Sequence, residues 1–382
     1  MKLLHISDLH IGKRLHGAPL AEDQSYIFSA ILRVAERERP QAVLISGDIY
    51  DKSMPAAESV AAFDDFVISL HERGIQVFAI SGNHDSPERL AFGARILSKG
   101  GVFFSRVYDG SVSTIPLADE YGALYVHLLP FVKPAYVRRF FPKADIPDYN
   151  AAVKTALSGV ITTGGARHVL LAHQFVTGAA RSESEELTIG GLDNVDASAF
   201  DGFDYVALGH LHNPQRVSRE TIRYCGTPLA YSFSEQTHPK SVTVIDLRAK
   251  GDIEITTAPL VPLRALRTLK GPFETLAAPA YGAGTSLPQD FLHIILTDEL
   301  DVPEAMGRLR AVYPNLLKLS YDNARTRAEG RAAHAYNIDA PPAPEDVFAA
   351  FYEQQNGTAM LPEQKALLHA LVERLSEESR EG

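Results

Sequence analysis

Seven side chains able to bind a divalent cation fall in five short clusters along the first 212 residues: Asp8 and His10 in DLH, Asp48 in GDIYD, Asn83 in GNHD, His173 in LLAHQ, and His210 with His212 in GHLH. Imidazoles mixed with carboxylates and an amide oxygen suit borderline to hard ions such as Mn²⁺, Fe²⁺ or Zn²⁺. A thiolate site would need cysteines, and the chain has one, Cys225. Seven side chains are too many for one first-row ion. They fit two ions, about 3.5 to 4 Å apart, that share a bridging carboxylate and keep positions open for water. D-x-H and H-x-H place two side chains on the same side of an extended segment, so both reach one cavity. Each motif alone turns up by chance, and a lone His or Asp at a strand end is usually an ordinary polar residue; the five in order point to a metal centre.

The elements that must position them are legible. LLHIS, AVLIS, VFAIS, HVLLA and YVALG each run into one cluster and read as buried strands, so all five clusters are expected to open from strand ends of one sheet. Gly47, Gly82 and Gly209 precede ligands and would let the chain turn there without a Cβ clash. Apolar spacing predicts a helix over 22–39, stopped by Pro40, and a second over 56–73, closed by Gly74 in the left-handed role. A third follows Pro87. The strands ALYVHLL and HVLLA, a polar loop over 177–194, and then DYVALG, TIRYCG, SVTVIDL and DIEITTA make the second half rich in strands. Beyond residue 262, PLRALRTLKG, FLHIILTDE and VPEAMGRLRAVYPNLLKLSY suggest a small α+β unit without ligand clusters. Residues 326–343 lack an apolar period and read as a linker. Two amphipathic helices should follow, with Val347, Phe348, Phe351 and Tyr352 on one stripe and Leu367, Leu368, Leu371, Val372 and Leu375 on the other. Such short helices need another surface, either the parent domain or a partner.

The series DLH, GDIYD, GNHD, AHQF, GHLH resembles the calcineurin-like metallophosphoesterase superfamily. LISGDIYDKSMP, SGNHDSPERL and YCGTPLAYSFSE resemble its SbcD family of bacterial nucleases. The resemblance implies an α/β fold of two mixed β-sheets packed as a sandwich flanked by helices, with a small capping domain and a C-terminal helical hairpin. The implied boundaries are 1–262 for the nuclease domain, 263–325 for the cap, 326–343 for the linker and 344–378 for the hairpin. It also implies that Asp8, His10, Asp48 and His212 hold one metal and that Asp48, Asn83, His173 and His210 hold the other, Asp48 bridging, with manganese as the expected ion. His84 matches a catalytic histidine outside the ligand set, placed to protonate the leaving oxygen or stabilise the phosphate. Asp51 and Asp85 are expected to orient ligands or turns. The implied activity is exonuclease on duplex ends and endonuclease on hairpin or single-stranded DNA, in repair and recombination. The implied partners are an SbcC-like ATPase docked by the C-terminal helices and a second copy of the chain, paired through helices around Ala56–Arg73 and Pro87–Lys99.

Composition sets the remaining bounds. A chain of 382 residues with 45% hydrophobic content can bury a full core and form about two domains. No apolar stretch approaches the roughly 20 residues of a membrane helix, and MKLLHISDLH turns polar too early for a signal peptide, so a cytoplasmic protein is expected. Cys225 reads as a buried structural thiol. His5, His127, His168, His71, His334 and His369 read as structural or solvated, and His16 as a substrate contact. A net charge of −10 is unusual for a protein that grips nucleic acid alone. Either the substrate is a small phosphoester or phosphoprotein, or the basic surface is local, or a partner supplies the grip. Lys13 with Arg14, and Lys133, Arg138, Arg139 and Lys143 in FVKPAYVRRFFPK, are the local candidates. A non-catalytic scaffold would have no physical reason to keep seven ligands and His84.

Overall fold

The computed structural model describes residues 1–162, 164–180, 194–324, 326–327, 344–356, 359–368 and 371. The chain divides into two compact units, the first comprising Met1–Leu269, Glu274–Ile294 and Glu304–Leu319. It opens with β1 (Lys2–Ile6), a small hairpin of β2 (Arg14–Leu15) and β3 (Ala18–Pro19), and α1 (Ala21–Glu38). Then come β4 (Ala42–Ser46), α2 (Ala57–Glu72), β5 (Gln76–Ile80), the short α3 (Pro87–Leu90) and α4 (Ala94–Leu97), and β6 (Val102–Phe104). The second half holds β7 (Ser113–Asp119), β8 (Gly122–Leu128), α5 (Pro134–Arg138), α6 (Tyr149–Leu157) and β9 (Arg167–His173). After the parallel pair β10 (Phe175–Val176) and β11 (Asn194–Val195) come β12 (Tyr205–Gly209), β13 (Gln215–Val217), β14 (Arg219–Tyr224), β15 (Ser241–Leu247) and β16 (Ile253–Pro259).

Two six-stranded sheets result, in the orders β16-β15-β1-β4-β5-β6 and β13-β14-β12-β9-β8-β7. In each, the strands that carry ligand candidates pair in parallel: β1 with β4 and β4 with β5 in the first, β9 with β12 in the second. The expectation of a single sheet is therefore corrected. A continuous apolar run says that a strand is buried on both faces, which holds equally for inner strands of two stacked sheets. Leu3, Leu44, Phe78, Leu124, Val169 and Ile245 form the core between the sheets. The outer face of the first sheet packs α1 and α2 through Ile27, Ile31, Phe63 and Phe66, and that of the second packs α6 through Ala152, Val153 and Ala156. The result is the predicted sandwich flanked by helices.

Gly74 takes the left-handed conformation expected after α2, with φ +72°. The helix expected after Pro87 is instead two single turns, separated by Gly93 at φ +73°. Ser86 caps the first turn by accepting from the Arg89 amide.

The second unit comprises Lys270–Phe273, Ile295–Pro303 and Ser320 onward. Within it Thr297 and Asp322 donate backbone hydrogen bonds to Gly271 and Leu296, and the Asp298 carboxylate accepts from the Phe273 amide. The predicted linker lies outside the described residues except for Thr326 and Arg327. Residues Pro344–Asn356 and 362–368 are helical, and Gln364 donates to the Tyr352 hydroxyl at 3.1 Å. Val347, Phe348, Phe351, Leu361, Leu367 and Leu371 are exposed, whereas Val372, Leu375, His334 and His369 lie outside the described residues.

Candidate metal centre

The clusters meet where strand ends of both sheets converge. Asp8 and His10 follow β1, Asp48 follows β4, Asn83 and His84 follow β5, His173 ends β9, and His210 and His212 follow β12. Asp8, His10 and His210 do not sit on the extended backbone that the D-x-H and H-x-H spacing suggested. Asp8, His10, Asp48 and His210 have φ of 53°, 43°, 47° and 103°. Left-handed backbone costs a non-glycine residue energy and concentrates at functional sites, where surrounding bonds hold it. Those bonds are visible: the Asp8 amide donates to Gly47 and the His10 amide to Asp48, each at 3.0 Å. Asp85 holds the neighbouring turns by accepting from the amides of Gly82, Tyr50 and Ile49 at 2.9, 2.9 and 3.1 Å. This is the orienting role expected of it.

Two of the three glycines act by close approach rather than by turning. Gly47 has φ +90°, but a Cβ on Gly209 would stand 1.9 Å from the Ser46 carbonyl oxygen, and one on Gly82 2.1 Å from Asp48 Oδ1. Only glycine lets these strand ends come this near one another.

All seven ligand candidates are drawn together. Asp8, His10 and His212 have donor atoms within 4.8 Å of one another, as do Asp8, Asp48 and His173, and His10, Asp48 and His84. Asn83 Oδ1 lies 3.0 Å from both His173 Nε2 and His210 Nδ1. Asp48 Oδ2 lies 3.2 Å from His173 Nε2 and 3.8 Å from His10 Nε2, so its carboxylate is common to both groups. Asp8, His10, Asp48, His173 and His212 are buried. His84 is partly exposed at the rim, its amide donating to Asp48 Oδ1 at 2.9 Å and its Nδ1 lying 3.1 Å from the Asp51 carbonyl.

Burial and mutual charge dominate the electrostatics. Burial pushes the Asp8 carboxyl up to about 6, with the Asp48 charge adding to the shift and His173 opposing it. Burial also opposes ionisation of Asp48, but the imidazoles of His173, His10 and His84 outweigh it and hold that carboxyl well below its usual range. Reciprocally, Asp48 overcomes the burial of His173 and raises it to about 9. With Nδ1 on the Ser46 carbonyl at 2.8 Å and Nε2 on Asp48 and Asn83, His173 as an imidazolium donates from both nitrogens. A cation at Nε2 would take the place of that proton while Ser46 kept the tautomer.

The donor set fits divalent cations. Both ring nitrogens of His10 are buried without a hydrogen-bond partner among the described residues, a costly arrangement for polar atoms that a ligated ion would satisfy. Nitrogen and oxygen donors without thiolate match the borderline to hard class of the sequence reading.

A family model of calcineurin-like phosphoesterases matches residues 1–214, and one described as the type 5 capsule protein repressor C-terminal domain matches residues 262–356. The SbcD subunit of the SbcCD nuclease of Staphylococcus epidermidis is 32% identical over 84% of this chain and 85% of its own length. The chain is a calcineurin-like phosphoesterase of the SbcD family. As such it is a metal-dependent hydrolase. The corresponding SbcD protein of Staphylococcus saprophyticus is 29% identical over 99% of both chains. Among solved structures, a dimetal phosphatase from Danio rerio aligns with a TM-score of 0.40 and 13% identity over 67% of this chain and 98% of that one.

Several supporting residues of this SbcD family member escaped the sequence reading. Glu235, buried, lies 3.2 Å from His212 Nδ1 and is itself paired with buried Lys240 at 2.6 Å. Despite burial, His212 and Lys240 hold its carboxyl well below the usual range. Gln24 donates to the carbonyls of His10 at 2.7 Å and Leu9 at 3.2 Å, and the Tyr231 hydroxyl also donates to Leu9. The sequence marked Glu235 only by its place in the family-like stretch YCGTPLAYSFSE. Among the basic candidates, Lys13 pairs with Asp51 at 2.8 Å, and Arg138 donates to the Ile146 carbonyl, a structural use. His16 stacks on Phe233 at 5.7 Å. Cys225 is buried beside the Ser7 hydroxyl at 3.0 Å, as expected of a structural thiol.

Proposed function

We propose that this chain is the two-metal nuclease component of an SbcCD-like complex, cutting duplex ends exonucleolytically and hairpin or single-stranded DNA endonucleolytically. The observation that carries the reading is the meeting of five separate segments in one buried pocket, with Asp48 common to both halves. In this reading Asp8, His10, Asp48 and His212 hold one ion and Asp48, Asn83, His173 and His210 the other, with Mn²⁺ the ion favoured. Bound there, the pair supplies the Lewis acidity and charge neutralisation that phosphodiester hydrolysis requires.

The protein's own groups do the rest. Asp85 and the left-handed residues fix the donors before substrate arrives, so little reorganisation remains in the transition state. Glu235 orients His212, and Ser46 orients His173. His84 uses Nδ1 as donor to the Asp51 carbonyl, so it can give up a proton only from Nε2 of its imidazolium, toward the leaving oxygen. The domain boundaries 1–262, 263–325, 326–343 and 344–378 belong to the same proposal.

The surfaces support the partners. Val60 of α2 and Phe92, Ile96 and Leu97 around α4 are exposed, Phe92 at 86% and Ile96 at 76%. An apolar patch of this kind suits an isologous contact with a second copy. The exposed apolar residues of the two C-terminal helices suit an SbcC-like ATPase. No helix among the described residues is long and apolar enough to cross a membrane. Linear duplex DNA incubated with the chain, Mn²⁺ and the ATPase should be degraded, and Asp48→Ala should abolish the activity. DNA left intact by the wild type would refute the assignment.

A further inference from the structure

Beside the metal pocket lies a cavity of about 650 Å³, within the range of small-ligand sites, whose wall includes Asp85, Tyr108, Phe131, Tyr136, Arg139 and Phe140. It borders the centre at two points. Asp85 is the carboxylate that clamps the turn carrying Asn83 and His84. The Phe131 ring stands edge-on to His173, centroids 6.2 Å apart, and its amide donates to the Ser81 carbonyl at the end of β5. The opposite wall is α5 and the turn after it, anchored by buried Val137. From it Tyr136, Arg139 and Phe140 are exposed. Tyr108 packs edge-on against Phe140 at 5.7 Å, and its buried hydroxyl has no hydrogen-bond partner among the described residues.

We propose that this cavity takes one unpaired nucleobase of the cleaved strand, flanking the phosphodiester at the metal pocket. The inference rests on the nuclease reading above and names the substrate feature that site selects. Four aromatic rings around a space wide enough for a planar heterocycle give a stacking surface that tolerates any base, because every base offers a π-face. Arg139 at the same wall brings a cation suited to an adjoining phosphate, and it accounts for part of the FVKPAYVRRFFPK basic segment that the metal chemistry leaves unused. A base held in a duplex stack cannot enter such a cavity, so strands that are frayed, looped or hairpinned are favoured over an intact duplex interior.

The test uses the full chain with its ATPase partner, ATP and Mn²⁺ on hairpin oligonucleotides in which one abasic position is walked through the loop, first cuts being resolved on a sequencing gel. Wild type should lose about tenfold in kcat/KM when the missing base flanks the cut, the worth of one stacked base, and little when it lies elsewhere. Tyr136→Ala should lower cutting of the intact loop by a similar factor and flatten the positional profile, while Tyr136→Phe, which keeps the ring, should retain both. An intact loop cut normally with a flat wild-type profile, or a Tyr136→Ala profile as steep as wild type, overturns the pocket and leaves the nuclease reading standing. An intact loop left uncut while bis(p-nitrophenyl) phosphate is hydrolysed overturns both.

Discussion

At the residue scale, the chemistry depends on side chains that never meet substrate. Glu235 fixes the orientation of His212 across a bond of 3.2 Å, and orienting partners of metal-bound imidazoles are typically worth 10- to 100-fold in affinity. Glu235→Gln should therefore weaken Mn²⁺ binding by about that factor in a calorimetric titration; unchanged affinity would remove Glu235 from the account. Asp85 satisfies three backbone amides at once. Each orphaned buried donor costs roughly 1 to 3 kcal/mol, so Asp85→Ala should lower stability by about 4 kcal/mol in urea unfolding. A loss under about 1 kcal/mol would show that water or a neighbouring group replaces the carboxylate. The ligand candidates were legible because their types and order are unusual. Glu235 was not, because its partner is 23 positions away and only the fold brings them together.

At the element scale, the apolar runs marked all five strands, yet they could not say which sheet each would join. LLHIS and HVLLA read alike, but β1 and β9 belong to different sheets. Pairing is decided by contacts distant in sequence, to which local periodicity is blind. The same limit hid the reason for Gly209, which the sequence presented as a turning residue. In the structure it lets β12 approach the end of β4, where a Cβ would meet the Ser46 carbonyl at 1.9 Å. Gly209→Ala should cost about 3 kcal/mol or more and displace the GHLH segment, lowering metal binding as well. Gly159→Ala, with nothing among the described residues within 4 Å of a Cβ placed there, is the matched control and should leave both unchanged. Equal behaviour of the two variants in thermal unfolding and metal titration would refute the close-approach argument.

At the scale of the whole molecule, the sheets are tied by charge at the end away from the candidate metal centre. Asp119 of β7 accepts from buried Arg167 of β9 at 3.0 Å and pairs with the Met1 ammonium beside β1 at 2.9 Å. Hydrogen bonding to Arg167, then to the chain's amino group, holds the Asp119 carboxyl well below its usual value near 4. A depressed carboxyl contributes stability that is fully present above its unfolded pKa and is lost as pH falls through the folded one. Asp119→Asn should thus flatten the acid limb of a stability profile below about pH 4 and lower stability at pH 7, whereas an unaltered limb would place the acid sensitivity elsewhere. The charge of the whole chain is acidic, which fits the proposed sharing of the DNA grip with a partner. All of this serves one pocket assembled from two sheets. The most direct test is anomalous diffraction from crystals soaked in Mn²⁺: two peaks about 3.5 to 4 Å apart on either side of the Asp48 carboxylate are expected, and an empty pocket, or manganese bound only elsewhere, would contradict the account.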